Sequence, residues 1–353
     1  MLALSVQPLR KDSATLEEFP EPQPASGETH VQLRALDIGI CGTDHEILSG
    51  AYGTAPPGEQ RLIIGHESLG EVLQAPPGSG LEPGDLAVGF VRRPDPVPCP
   101  ACARGEWDMC KNGQYTERGI KARHGYAAQR YDVRPEYLIR VPRELRSVGV
   151  LIEPASVVAK AWEQIERIAA RASIAPRSVL VTGAGPIGLL AALLGRQRGL
   201  QVHVFDRHSD GPKPELTRAI GAQYHCGDIG QLDVHPDLVV ECTGAAAVLI
   251  GSVALLAPDG IVCLTGVSSG GRRIAVDVGE FNREMVLENG VIFGSVNANR
   301  RHYSAAVEAL SRADRAWLEA LITRRVALRD WHDAFRPGAR DIKVVLDFGN
   351  HAH

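Results

Sequence analysis

The amino-acid sequence predicts an α/β protein of two domains, a β-rich domain followed by a doubly wound parallel sheet. The first observation is the length of 353 residues, which exceeds what one typical hydrophobic core organises. The second is a series of short apolar segments between Gly and Pro within residues 1–155, which is typical of an irregular β domain. The third begins at Val179, where strand, glycine turn, helix and strand follow one another. This alternation indicates a parallel sheet covered by helices.

The predicted elements of the first domain are short. Alternating apolar residues at 31–36 and 86–90 predict two of its strands. The pattern changes between residues 152 and 170, where apolar side chains such as Trp162 and Ile165 recur at helical spacing. We therefore predict a long helix at the entry to the second domain.

The second domain shows the strand and helix alternation most clearly. We predict strands at 179–181, 202–205, 237–241 and 261–264, and helices at 186–198 and 245–256. After Ser295 the chain supplies further helical pieces and a late strand at 343–348.

Composition excludes several classes of partner. The formal net charge of −4 argues against a nucleic-acid partner, which would require clustered positive charge. The N-terminal segment has no basic start with a long apolar run after it, so we expect no signal peptide. No apolar stretch is long enough to span a bilayer, and seven cysteines in such a chain indicate a reducing compartment. We therefore expect a cytoplasmic protein that binds neither nucleic acid nor membrane.

A glycine motif predicts a dinucleotide site in the second domain. Gly183-Ala184-Gly185-Pro186-Ile187-Gly188 follows a predicted strand and opens a predicted helix. Gly183 would make the tight turn, Gly185 would let a pyrophosphate approach the backbone, and Gly188 would allow close helix–strand packing. Pro186 and Ile187 begin the helix, whose N-terminal N–H groups would face the phosphates. The alternative is a glycine turn without a ligand.

The choice between NAD and NADP depends on the end of the next strand. Asp206 lies there, 18 residues beyond Gly188, where a carboxylate can accept hydrogen bonds from ribose hydroxyls and repel a 2′-phosphate. Arg207 follows it and could accommodate NADP. We predict that NAD is preferred and that NADP is possible; the alternative for Asp206 is a solvated acid at a strand end.

Thiol, imidazole and carboxylate groups in the first domain suggest a metal site. Cys41 begins the segment Cys41-Gly42-Thr43-Asp44, and His66 and Glu67 follow Gly65. These are the ligand types that zinc takes in catalytic sites, where one coordination position stays open. Each fragment alone is weak, since a lone cysteine is usually a buried apolar residue.

Taken together, the motifs resemble one family. The order and separation of CGTD, GHE and GAGPIG match the zinc-containing medium-chain alcohol dehydrogenase superfamily, and the chain is most similar to its glucose (aldose) 1-dehydrogenase branch. The residues that carry the branch resemblance are Gly39–Asp44, Gly65–Glu67, Arg92–Pro94, Glu117–Ile120, Ile152–Pro154 and Gly294–Asn297. The resemblance implies a GroES-like catalytic domain at 1–157, to which 297–353 return, and a Rossmann NAD(P)-binding domain at 158–296.

The resemblance also implies roles around a catalytic zinc ion. Cys41 and His66 would bind zinc, with Glu67 and Glu153 completing the ligand shell or exchanging in it. Thr43 would start proton transfer from the substrate. Thr43 and Glu153 would both contact the substrate. The alternatives are a helix N-terminal acid for Glu153 and a turn or cap residue for Thr43.

Further binding residues follow from the same resemblance. Glu117 and Asn297 would contact the sugar, because buried hydroxyls need hydrogen-bond partners. The cofactor-binding set would extend to Thr243, Val267, Ser295 and Asn297.

A second zinc ion with a structural role is possible. Cys99, Cys102 and Cys110 match the last three cysteines of the family's structural zinc lobe. The first family cysteine falls at Pro96, which cannot bind a metal. Asp95, Asp108 or another nearby oxygen would then supply the fourth ligand.

The function implied by the resemblance is zinc-dependent oxidation of a sugar by NAD(P). Glucose or a related aldose would be oxidised at C1 to the lactone by a homodimer or homotetramer. The alternatives are the same chemistry on another polyol, a sugar acid or an amino alcohol of the sorbitol or threonine type, and a non-catalytic nucleotide-binding protein.

Overall fold

The computed structural model describes residues 1–23, 29–173, 175–268 and 273–349. Contacts within the chain define two compact units. One comprises residues 1–156 together with 297–353, and the other comprises residues 157–296.

Short strands dominate the first part of the chain, because Gly and Pro interrupt its apolar runs. In chain order they are β1 (Leu2–Val6), β2 (Thr15–Glu18), β3 (Val31–Ile40), β4 (Leu62–Ile63), β5 (Glu67–Gln74), β6 (Leu86–Gly89), β7 (Arg92–Arg93), β8 (Thr116–Arg118), β9 (Ala122–Arg123), β10 (Arg130–Val133) and β11 (Leu138–Val141). One short helix, α1 (Gly42–Leu48), lies between β3 and β4. The predicted runs at 31–36 and 86–90 are confirmed as β3 and β6.

The middle of the chain alternates strands and helices, as its periodicity predicts. Helix α2 (Ile152–Ala169) leads into this part, which contains β12 (Ser178–Thr182), α3 (Pro186–Gln197), β13 (Gln201–Phe205), α4 (Pro212–Ala219), β14 (Gln223–His225), β15 (Leu238–Glu241), α5 (Ala246–Ala254), β16 (Ile261–Leu264), α6 (Val278–Leu287) and β17 (Val291–Gly294). The strands form one parallel sheet in the order β14-β13-β12-β15-β16-β17. This is the doubly wound arrangement, and it brings the carboxyl ends of all six strands to one edge.

The C-terminal elements belong to the first unit. They are α7 (Arg300–Ser311), α8 (Arg315–Leu321), β18 (Ile322–Ala327), α9 (Trp331–Ala334) and β19 (Lys343–Asp347). Strand β19 pairs antiparallel with β3, which lies in a seven-stranded sheet with β5, β6, β10, β11 and β18. The core of this unit consists of apolar side chains such as Leu33, Ile38 and Leu346, all fully buried.

Among the residues that the structure describes, no helix combines the length and the apolar character needed to cross a bilayer.

Candidate active site and cofactor site

Cys41 and His66 come together because β3 and β5 are antiparallel neighbours. Gly39 near the end of β3 pairs with Glu67 at the start of β5, so the residues that flank this pair are adjacent in space. Cys41 Sγ lies 3.0 Å from His66 Nε2. The turn before His66 needs Gly65, which has φ +84° and whose absent Cβ would lie 2.8 Å from Ile38 Cγ2. The sheet register therefore creates a thiol–imidazole pair.

Asp44 completes this cluster, although the sequence analysis gave it no role. Its carboxylate is fully buried, accepts a hydrogen bond from the Cys41 N–H at 3.0 Å and lies 3.5 Å from His66 Nδ1. The donor atoms of Cys41, Asp44 and His66 all lie within 4.8 Å of one another. Burial alone would raise the pKa of Asp44, but the His66 imidazole beside it lowers that pKa below its usual range. In the sequence, the feature that could have assigned Asp44 to the site is its place in the CGTD motif.

Glu67 is bound by a buried lysine that the sequence analysis placed only within the late strand. Lys343 Nζ donates to both carboxylate oxygens of Glu67, at 2.7 and 2.5 Å, and to the carbonyl oxygen of Ile40 at 3.0 Å. Gly39 makes room for this carboxylate, because a Cβ at that position would collide with it. Glu67 therefore faces Lys343, and its predicted role as a zinc ligand stays a prediction.

Glu153 lies near the same charged groups. It stands in the first turn of α2 and is 7% exposed. Burial and the nearby Glu67 raise its pKa to about 8, against the opposing effect of His66 and Lys343. Thr43 is half-buried in the first turn of α1.

The donor groups of this region fit a bound cation. Thiol and carboxylate groups are supplied by Cys41, Asp44, Glu67 and Glu153, and basic groups by His66 and Lys343. Burial opposes a charged imidazole, yet Cys41 and Asp44 raise the pKa of His66 well above its usual value. Thiol, imidazole and carboxylate are the donors that zinc prefers. The residues present therefore fit a zinc ion.

Glu117 and Asn297 are brought together from positions 180 residues apart. Asn297 Nδ2 donates to Glu117 Oε1 at 2.8 Å. The same oxygen accepts from Arg92, at 3.1 Å from Nε and 3.0 Å from Nη2. Arg92 in turn stacks on the ring of Tyr115, 3.7 Å from its centroid. Arg92 was noted only for the family resemblance, and the structure gives it a place beside both predicted sugar-binding residues.

Three thiols lie close together in the segment after β7. Cys99 Sγ and Cys110 Sγ are 4.0 Å apart, and the sulfurs of Cys99, Cys102 and Cys110 lie within 4.8 Å of one another. The Lys111 N–H donates to Cys99 Sγ at 3.4 Å. This and other backbone N–H groups lower the pKa of Cys99 to about 6, which favours the thiolate that binds metals.

The side-chain oxygens near these thiols have different hydrogen-bond partners. Asp108 accepts from Asn299 Nδ2 at 2.8 Å, and Asp95 accepts from the N–H of Val97 at 2.9 Å and from the amide of Asn112. Asn112 Oδ1 lies 3.1 Å from Cys110 Sγ. The Asn112 amide is therefore the oxygen in contact with a thiol, with Asp95 behind it.

The glycine motif has the geometry of a turn open to a ligand. Gly183 has φ +92°, and a Cβ at Gly188 would collide with the Gly183 carbonyl, so both positions require glycine. A Cβ at Gly185 would meet nothing within 4 Å, which leaves the start of α3 accessible. Pro186 and Ile187 form the first turn of that helix.

Asp206 follows β13 and lies beside this turn. Its Oδ2 accepts from the Ala184 N–H at 2.8 Å and from Lys213 Nζ at 3.0 Å, and its Oδ1 lies 2.7 Å from His208 Nδ1. Burial opposes ionisation, but the Ala184 N–H, His208 and Lys213 lower the pKa of Asp206 to about 2. Arg207 is exposed. The carboxylate is therefore ionised at neutral pH and is partly balanced by neighbouring basic groups.

The other predicted cofactor residues follow the carboxyl ends of three neighbouring strands. Thr243 follows β15, Val267 follows β16 and Ser295 follows β17. Val267 is 78% exposed, and Ser295 has a buried hydroxyl without a hydrogen-bond partner in the described structure. This edge of a doubly wound sheet is where ligands bind.

Comparisons with known proteins agree with this architecture. The alcohol dehydrogenase GroES-like domain matches residues 27–143, and the glucose dehydrogenase C-terminus matches residues 146–348. A glucose 1-dehydrogenase of Methanocella arvoryzae is 41% identical and covers 99% of this chain and 100% of its own length. One of Thermoproteus tenax is 39% identical, with 98% and 99% covered.

A solved structure is also similar over the whole chain. The Haloferax mediterranei glucose dehydrogenase in complex with NADP, Zn and gluconolactone has a TM-score of 0.90 and 34% identity, with 99% of both chains covered. The GroES-like and Rossmann architecture predicted from the sequence is thereby confirmed. The chain belongs to the glucose dehydrogenase branch of the zinc-containing medium-chain alcohol dehydrogenase superfamily.

Proposed function

We propose that this protein is a zinc-dependent glucose 1-dehydrogenase that oxidises glucose or a related aldose at C1 to the lactone. The sugar loses a hydride to NAD(P) and a proton from its C1 hydroxyl. The observation that carries the proposal is the Cys41–His66 pair, 3.0 Å apart, in a chain whose full-length relatives are glucose 1-dehydrogenases. The non-catalytic alternative has no support from a chain that keeps both groups.

Zinc would be held by Cys41 and His66, with Glu67 and Glu153 completing the shell or exchanging in it. Asp44 lies 3.5 Å from His66 Nδ1, whereas Cys41 lies beside Nε2, so Asp44 would orient the imidazole from the other side of the ring. When bound, zinc supplies a Lewis acid that polarises the oxygen of the reacting hydroxyl.

Thr43 and Glu153 would handle the proton of that hydroxyl. Thr43 Oγ1 can accept a hydrogen bond from the substrate, since it lies only two residues from Cys41. The Glu153 carboxyl is 7% exposed in the first turn of α2, and it would contact the same hydroxyl as a hydrogen-bond partner.

Glu117 and Asn297 would bind hydroxyls of the sugar. Within the part of the chain that the structure describes, Glu117 is bonded through Oε1, so Oε2 can accept from a hydroxyl. Asn297 can contribute its carbonyl oxygen. Arg92 would hold the carboxylate in place.

The dinucleotide would bind at the carboxyl edge of the parallel sheet. Its pyrophosphate would meet the turn Gly183–Gly188 at the start of α3, as helix N-termini favour. Thr243, Val267, Ser295 and Asn297 are proposed to line the remainder of the site. NAD is the proposed preference, and the basic partners of Asp206 leave NADP acceptable.

Asp206→Ala is expected to shift cofactor use toward NADP. The change removes an acceptor for the ribose hydroxyls and leaves Lys213, His208 and Arg207 to meet a 2′-phosphate. Hydrogen bonds to a charged group contribute about 1.5–3 kcal/mol, so the ratio of kcat/KM for NAD to that for NADP should fall about 10- to 100-fold. Initial rates with each cofactor at a fixed glucose concentration measure it. Asp210→Ala, which removes an exposed acid nearby, is the control; an unchanged ratio in Asp206→Ala would exclude Asp206 from the specificity.

The three clustered thiols are proposed to hold a structural zinc ion. Cys99, Cys102 and Cys110 would be its thiolate ligands, and the Asn112 amide oxygen at 3.1 Å from Cys110 Sγ is the candidate for the fourth position. Asp108, which is bonded to Asn299, is a weaker candidate than the sequence suggested. Metal analysis of the purified chain tests this site.

Assembly, domains and location complete the proposal. We propose a homodimer or homotetramer, supported by exposed Val278, Val286 and Leu287 on α6, the helix that precedes the edge strand β17; a monomer in light scattering would contradict it. The functional domains are proposed at 1–157 with 297–353 and at 158–296, a division supported by the two compact units.

Seven free cysteines support a cytoplasmic location.

A panel of substrates tests the proposed reaction directly. Glucose, galactose, xylose, sorbitol, threonine and simple alcohols are supplied to the zinc-loaded protein with NAD and NADP in turn, and reduced cofactor is followed by absorbance. We expect the highest kcat/KM with an aldose, and gluconolactone or its hydrolysis product from glucose. A higher rate with sorbitol or threonine than with every aldose would replace the proposal by its polyol or amino-alcohol alternative.

A further inference from the structure

Glu241 is a buried carboxylate at the carboxyl end of β15. It is fully inaccessible to solvent. Its Oε1 accepts from the Thr243 N–H at 2.7 Å, the Gly244 N–H at 3.1 Å and Thr182 Oγ1 at 3.3 Å, and also from the Thr243 hydroxyl. Its Oε2 accepts from the Gly244 N–H at 3.1 Å. Within the described chain, all of these partners are neutral, and none is a lysine, arginine or histidine.

Such a group is unfavourable unless its hydrogen bonds are complete. Moving an ionised carboxylate out of water without a paired cation is costly, and only well-placed donors compensate. Here the donors belong to the end of β12 and to the turn after β15. The shape of these two segments is therefore coupled to the position of one carboxylate.

The main chain of Glu241 connects a third segment. Its carbonyl oxygen accepts from the Thr265 N–H at 2.8 Å, the Gly266 N–H at 2.9 Å and the Thr265 hydroxyl at 2.8 Å. Thr265 and Gly266 directly follow β16. One residue thus joins the ends of three adjacent strands, β12, β15 and β16.

The three segments also pack tightly through glycines. A Cβ at Gly183 would lie 2.9 Å from Thr243 Cγ2, and a Cβ at Gly244, where φ is +62°, would lie 2.6 Å from the Val267 carbonyl oxygen. A shift in the turn after β15 would therefore displace the GxGxxG turn and the segment after β16. Both neighbours carry residues of the proposed cofactor site.

We propose that Glu241 is a positioning residue for the dinucleotide, fixing the three turns that form its site without touching it. The inference rests on the proposed function, because it assumes that NAD(P) binds at this edge of the sheet. It assigns Glu241 no part in binding the sugar or zinc.

Asp237, at the opposite end of β15, offers a matched control. Its Oδ2 accepts from the Arg177 N–H at 2.7 Å, the Ser178 N–H at 2.9 Å and the Ser178 hydroxyl at 2.9 Å. It is likewise a carboxylate bonded to backbone and hydroxyl donors, but at the amino edge of the sheet. Asp237 is half-buried, so Asp237→Asn should cost less stability than Glu241→Gln, and the two variants should also differ in their effect on the cofactor.

The test measures cofactor affinity directly, by fluorescence titration of the zinc-loaded protein with NADH and NADPH. We expect Glu241→Gln to raise the Kd about tenfold, because its NH2 group replaces Oε2 and points a second donor at the Gly244 N–H, which displaces the turn after β15. Asp237→Asn should keep the Kd within about twofold of the wild type. At saturating cofactor, kcat with glucose should change little in either variant, so the effect appears in the cofactor KM.

A milder variant keeps the test decisive if Glu241→Gln does not fold. Thr182→Val removes one donor to Glu241 Oε1, and we expect a smaller rise in Kd in the same direction. An unchanged Kd in Glu241→Gln, or in Thr182→Val where that variant is used, would overturn the inference, as would an equal loss of affinity in Asp237→Asn. Wild-type protein that binds neither nucleotide would contradict the proposed function itself, and the inference with it.

Discussion

Replacing Cys41 with serine is expected to lower kcat for sugar oxidation by at least about 10³-fold. Removing one preorganised group that stabilises charge in a transition state typically costs about 10²–10³ in kcat, and Cys41 is proposed to hold the ion that supplies the main electrostatic effect. A serine hydroxyl is a poor replacement for a thiolate as a zinc ligand. The loss should therefore come from the metal and leave the fold and the dinucleotide site in place.

Three measurements on one preparation separate these effects. Metal analysis should find one zinc ion fewer per chain than in the wild type, while NADH fluorescence titration and the urea unfolding midpoint change little. Cys226→Ser is the control, because Cys226 is an exposed thiol. A Cys41→Ser protein that keeps its full zinc content and its turnover would remove Cys41 from the site.

The same metal analysis bears on the clustered thiols. If the cluster of Cys99, Cys102 and Cys110 is loaded, the wild type contains two zinc ions per chain and Cys41→Ser retains one. One ion in the wild type and none in the variant would contradict the structural zinc site.

Local sequence patterns predicted those parts of the fold whose causes are local. The GxGxxG motif lies in a strand–turn–helix unit with a left-handed Gly183, as its spacing indicated. The strand at 261–264 matches β16, and the helix predicted at 186–198 matches α3 to within one residue. In each case the periodicity of neighbouring residues decides the structure.

The residues that were missed depend on contacts between distant segments. Lys343 meets Glu67 because β19 pairs with β3, which in turn pairs with β5, and no local pattern shows that pairing. Arg92 meets Glu117 through the pairing of β7 with β8. Glu241 ends a predicted strand, and the sequence does not show that the turn after it donates hydrogen bonds to its carboxylate. Strand register thus determined these partners, and a single sequence carries little information about register.

Lys343→Met is expected to lower the free energy of unfolding by about 3–5 kcal/mol, because it leaves the Glu67 carboxylate buried without its cation. Lys343 and Glu67 are only 1% and 2% exposed, so water cannot replace the lost ammonium group. Burial opposes the charged lysine, but Glu67 raises the pKa of Lys343 above its usual value, so the lysine is charged at neutral pH. Urea unfolding at pH 7 measures the change, and Lys11→Met, at an exposed lysine, is the control.

A double variant distinguishes an uncompensated charge from lost packing. Glu67→Gln combined with Lys343→Met removes both charges, so it should recover much of the stability that Lys343→Met loses. Methionine fills a volume similar to that of the lysine stem, and packing loss is therefore small in both proteins. Equal destabilisation of the single and double variants would show that the ion pair does not set the cost. Zinc content should stay at the wild-type level in Lys343→Met, because Cys41, His66, Glu67 and Glu153 all remain, and this separates the role of Lys343 in folding from metal binding.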